Sequence, residues 1–140
     1  MNTLLGASAR MAHPTDLRLV FEAFGGRQCE FNWLLTDVEL NRYPPRLRYH
    51  PDFGLDTRWL SGTELSEIVE ESDIQFIWGV LSGFRPGVTI DVTAPGTYPY
   101  ADGNRALWEP NVSIQHPLAE VEIVCWDGPR PARAIISRRS

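Results

Sequence analysis

The 140-residue chain contains no lysine: its 13 basic side chains are all arginine, set against 18 carboxylates for a net charge of −5. Codon bias in a GC-rich genome is the simplest account of that absence. A net negative charge argues against general nucleic-acid binding. No apolar run approaches the ~20 residues a membrane-spanning helix needs, which excludes a transmembrane protein. Only two cysteines occur, Cys29 and Cys125, 96 positions apart in apolar, strand-like stretches. So sparse a set reads as two buried free thiols, since small secreted scaffolds carry more. The start, MNTLLGASARMAH, has no basic region before an apolar core and is a poor signal peptide. Residues 1–12 read as a flexible N-terminal extension, with Met11 an alternative start, and the chain as cytoplasmic.

Hydrophobic residues make up 43% of the chain and aromatics 11%. This suits one globular domain over residues 13–140, able to bury roughly two thirds of its extended surface. The charge is uneven. Residues 1–60 hold seven acids and seven arginines, residues 61–127 eleven acids and two arginines, and residues 128–140 four arginines alone.

Leu17, Val20, Phe21 and Phe24 repeat at i, i+3, i+4, i+7 before Gly25-Gly26, which predicts a short amphipathic helix. Residues 29–40 read as a strand covered on both sides. Alternation puts Cys29, Phe31, Trp33 and Leu35 on one face and Leu34, Val38 and Leu40 on the other. Prolines 44, 45 and 51 make residues 41–60 a long connection with one edge strand and short extended pieces at 47–49 and 55–60. Ser61-Gly62-Thr63-Glu64 is a capping box, and it opens a helix whose inward stripe is Leu65, Ile68, Val69 and Ser72. Residues 74–84, 88–93 and 119–126 read as strands, residues 112–115 as a further short one, and residues 94–111 as a loop. Asp127-Gly128 predicts a hairpin returning as a strand over 134–137 at the sheet edge. The order predicts an α+β fold: a single domain with a mainly antiparallel β-sheet and two short amphipathic helices.

Chemistry is scarce. His13, His50 and His116 each precede a proline, which forces extended backbone and removes the helical histidine pair of zinc proteases. Phosphate-binding loops, nucleophile elbows, dinucleotide fingerprints and Cys-x-x-Cys are all missing. Asp52, Asp56 and Asp91 lack the spacing of a calcium loop. The expectation is no catalytic residue, no cofactor and no metal. Of the five tryptophans, Trp33 and Trp78 belong to the core, while Trp108 and Trp126 are candidates for partial exposure and partner contact; Trp59 falls near the capping box.

What stands above background is the acidic middle. Glu67, Glu70, Glu71 and Asp73 fall on the outward side and end of the 61–72 helix, with acids opposing the dipole at its C-terminus. Asp37 and Glu39 extend the candidate partner-binding set on the preceding strand. A basic protein partner supplies a reason to keep such acids.

The stretches FNWLLTDVELN, WLSGTELSEIVEESDIQFIWGVLSGF and EVEIVCWDG resemble small bacterial immunity proteins, which neutralise toxins of contact-dependent or polymorphic systems. They are also similar to an uncharacterised bacterial domain family with the same order of elements. The resemblance spans roughly residues 29–84 and 119–128. It implies an α+β fold that binds a cognate toxin domain and occludes its active site, and it carries over no contact residue. The expected function is therefore a non-enzymatic binding protein with an acidic surface. One alternative is a small enzyme or ligand-binding domain using the 94–111 loop with His50 or His116, whose sign would be a deep pocket lined by those histidines and Asp52 or Asp91. Another is a homodimer in which the 134–137 strand pairs between chains.

Overall fold

A computed structural model describes residues 2–6, 17–23, 25–40, 42–48, 57–72, 74, 76–88, 90, 99, 114–126 and 133–138. Among these residues six strands form one antiparallel sheet: β1 (Asn2–Gly6), β2 (Asn32–Leu40), β3 (Arg58–Ser61), β4 (Phe76–Phe84), β5 (Val121–Trp126) and β6 (Arg133–Arg138). Their order is β1-β6-β5-β4-β2-β3. Helices α1 (Leu17–Ala23) and α2 (Gly62–Glu71) complete an α+β fold, as the sequence predicts.

The helices close the first face of the sheet. Leu17, Val20 and Phe21 of α1 and Leu65, Ile68 and Val69 of α2 bury against Trp33, Leu35, Leu81, Val121, Ile123 and Cys125. Phe21 and Phe31 flank the Trp33 ring at centroid distances of 6.1 and 5.8 Å, the latter edge-on. On the second face Leu34, Phe84 and Ala119 form a smaller cluster with half-buried Trp59, Val88, Ile90 and Ile114. Thr36, Ser82 and Glu122 are also buried there. The central strands are therefore apolar on both sides, which is why residues 31–36 and 80–84 read as nearly continuous hydrophobic runs.

Strand β2 departs from simple alternation. Thr36 pairs with Val80 but Glu39 pairs with Trp78, so Asp37 and Val38 together face Gly79 in a bulge. Asp37 sits at φ 52°, in the left-handed region. This extra residue shifts Val38 and Leu40 to the face of Trp33 and Leu35, correcting the assignment that strict alternation gives. Aspartate is one of the few side chains that tolerates this backbone, through its short polar group. Asp37→Val should lower stability by about 1–2 kcal/mol and Asp37→Asn far less, read from urea unfolding midpoints. Equal losses would contradict the dihedral explanation.

Other expectations need revision. Residues 2–6 are not a flexible extension: they pair with β6 from Asn2↔Ser137 to Gly6↔Arg133. That places the return strand β6 inside the sheet, between β5 and β1, and not at its edge. Cys29 is not in a strand but in a 3₁₀ turn (Arg27–Glu30) that follows Gly25 and Gly26, both at positive φ. It is exposed, whereas Cys125 is buried, and burial pushes the Cys125 thiol up to about 12. Leu47 lies in a second 3₁₀ turn, and β3 is the expected edge strand. Trp33 is fully buried, while Trp78 is only half-buried. Val88 and Ile90 belong to no strand, nor does Ile114. Phe24, His13, His50, Asp52, Asp56, Asp91, Trp108 and the 94–111 loop other than Pro99 lie outside the described residues. No helix among the described residues is long and apolar enough to cross a membrane.

Candidate functional site

Helix α2 is held firmly at both ends. Ser61 Oγ accepts the Glu64 N–H at 3.1 Å, and Glu64 Oε1 accepts the Ser61 N–H at 3.1 Å, completing the capping box. Gly62 lets this N-terminus press on the 3₁₀ turn: a Cβ there would lie 2.3 Å from the Gln28 carbonyl oxygen and 2.6 Å from that of Phe31. Trp33 Nε1 donates to the same Gln28 oxygen at 2.8 Å, fixing the turn to the core. At the other end Arg18 of α1 donates to the Val69 carbonyl at 3.2 Å. A cation on the last turn offsets the opposition of Glu70 and Glu71 to the helix dipole.

The outward arc of α2 carries Glu64, Glu67, Glu70 and Glu71, all exposed. At 100° per residue these four fall within about 120° of the helix circumference. Arg46 reaches two of them, 3.9 Å from Glu64 and 3.5 Å from Glu67. Exposed pairs of this kind contribute below about 1 kcal/mol. The sequence reading of Glu67, Glu70 and Glu71 as one exposed face holds in the structure, and Asp73 lies outside the described residues. Glu64 joins the face although sequence reasoning assigned it to the cap alone; its i, i+3 spacing from Glu67 was the available signal.

Asp37 and Glu39 do not extend that face. Register with Trp78 puts Glu39 on the side of the sheet away from α2, because the bulge reverses the alternation ahead of it. Asp37 is half-buried within the bulge.

A second polar cluster escaped sequence reasoning. Glu122 is 1% exposed on the second face. Its carboxylate accepts the Gln115 N–H at 3.0 and 3.1 Å, the His116 N–H at 3.4 Å and the Ser82 hydroxyl at 3.3 Å. His116 turns its ring edge to Phe84, 4.9 Å between centroids, and its Nδ1 accepts the Leu118 N–H at 3.1 Å. Backbone donors converging on one carboxylate fasten the 114–119 segment to the sheet. The imidazole Nδ1 is engaged in a turn hydrogen bond, and the Glu122 carboxylate anchors the segment.

A cleft beside β2, lined by Leu35, Val38, Leu40, Tyr43, Leu47, Thr57 and Arg58, holds about 10 Å³, room for a water molecule. Burial pulls the Arg58 guanidinium below its ordinary value, and it donates to the carbonyl oxygens of Thr57 and Arg48. Among the described residues no group of three or more His, Cys, Asp or Glu is placed to hold a metal. Comparison with known protein families, with characterised proteins and with solved structures finds no match to this chain.

Proposed function

We propose that this chain is a non-enzymatic cytoplasmic binding protein of the immunity type. In this reading it neutralises a bacterial toxin by seating the glutamate face of α2 in the toxin's basic cleft. The observation that carries it is four exposed glutamates, Glu64, Glu67, Glu70 and Glu71, on one arc of a helix fixed at both ends. A rigid row of carboxylates imitates the phosphates of a nucleic-acid substrate, and occupying the cleft excludes that substrate. Complementary charge raises the association rate and suppresses wrong partners. Arg46 stands where a partner's cation would compete for Glu64 and Glu67, and an exposed pair yields at little cost.

The first test is capture and co-expression with the product of the adjacent gene. Absence of both binding and protection would sink the reading. The second addresses the surface. Reversing Glu67, Glu70 and Glu71 to arginine should slow association at least about tenfold at low salt, with the gap narrowing as ionic strength rises. An unchanged on-rate would exclude this face while leaving the immunity role to another.

A further inference from the structure

We propose that the outer edge of β1 is a self-association surface, at which a second copy of this chain pairs β1 to β1, antiparallel, across a two-fold axis. Among the described residues the sheet ends in two edges, β3 and β1. The β3 edge is four residues long and ends at Ser61, where the backbone turns into α2. The β1 edge lacks the charge, proline and bulge that blunt many exposed strands. Asn2–Gly6 (NTLLG) has no charged residue and no proline. Its five residues keep unbroken register with β6, so no bulge twists the edge away. Half of its backbone N–H and C=O groups point outward, and among the described residues no strand lies beyond it in the sheet.

The partner that fits this edge is a second copy. Two β1 strands meeting about a two-fold are antiparallel, as is every other pairing in the sheet, and residue i of one copy faces residue j of the other as j faces i. Charge selects this edge over the other. The glutamate face belongs to α2, which continues directly from β3, so copies meeting at β3 would bring two ridges of like sign together. Copies meeting at β1 hold those ridges at opposite ends of a doubled sheet, beyond the range at which salt leaves repulsion effective. A ladder of five residues falls short of the ~800 Å² per partner of a standard interface, so the dimer is weak and concentration-dependent. Its existence is independent of what the glutamate face binds.

Light scattering on the full chain over about 10 μM to 1 mM should show the mass rising from one chain toward two. In a Cys29→Ser background, Thr3→Cys, Leu4→Cys and Leu5→Cys should crosslink copies on mild oxidation, most at the residue nearest the axis. Opposed Cα atoms of an antiparallel pair lie about 4.5–5.5 Å apart, within the span of a disulfide. Glu71→Cys on α2 should crosslink at least tenfold less, about the contrast expected between a paired and a random encounter. A mass that stays at one chain throughout overturns the proposal, and so does equal crosslinking from β1 and from position 71.

Discussion

Gly62→Ala should destabilise the protein by about 3 kcal/mol and lower its melting temperature by about 10 °C. The added methyl meets the Gln28 and Phe31 carbonyl oxygens and the Cys29 Cα, at 2.3, 2.6 and 2.7 Å. All three are backbone atoms, so no side-chain rotation relieves the overlap. Either α2 lifts from the sheet, exposing Leu65 and Ile68, or the 3₁₀ turn retreats and breaks the Trp33 indole bond to Gln28. Gly26→Ala is the informative control. Gly26 sits at φ +78° with nothing within 4 Å of the added carbon, so its cost is backbone strain alone, about 1 kcal/mol. Parallel urea titrations separate the two effects. A Gly62→Ala loss no larger than that of Gly26→Ala would show that the close approach is not what seats α2. Because the glutamate face rides on that helix, the same substitution should also impair partner binding.

Glu122→Ala should cost about 3–5 kcal/mol, because its carboxylate is the shared acceptor of several buried or half-buried donors. Truncation removes the acceptor shared by the Gln115 and His116 N–H groups and the Ser82 hydroxyl, on the face that also buries Val80 and Val124. Orphaned donors of this kind cost about 1–3 kcal/mol apiece. Glu122→Gln keeps the shape and one acceptor oxygen and should cost about 1–2 kcal/mol. The order Ala well below Gln, measured by denaturant unfolding, is the expected result. A loss under about 1 kcal/mol for Glu122→Ala would mean that the 114–119 segment is held by apolar contacts alone.

Local signals were legible and non-local ones were not. The capping box placed the start of α2 correctly because its two hydrogen bonds join residues three apart. Helical periodicity likewise set Leu65, Ile68 and Val69 inward and Glu67, Glu70 and Glu71 outward. Alternation worked along β5, where Val121, Ile123 and Cys125 all face the helices. It failed past Thr36, because a bulge depends on one residue's backbone angle and leaves the order of apolar and polar letters untouched. Asp37 was the only clue, as a residue able to adopt that angle. Alternation along β5 puts Glu122 on the second face, but it does not reveal that this face is covered. That cover makes the carboxylate a buried anchor. Residues 2–6 were read as an extension because nothing in NTLLG announces a partner more than a hundred positions away.

That distant pairing has a consequence for the order of assembly. Ladders such as β2 with β3 close over loops of modest length, whereas Thr3↔Ile136 joins residues 133 positions apart. The entropy of closing a loop rises with its length, so β1, which also needs β6 in place before it can pair, is expected to join the sheet late. Until it arrives, β6 itself is the border of the nascent sheet, and it carries arginines at both ends, Arg133 and Arg138. Cationic residues at an unfinished border discourage premature pairing between half-folded chains.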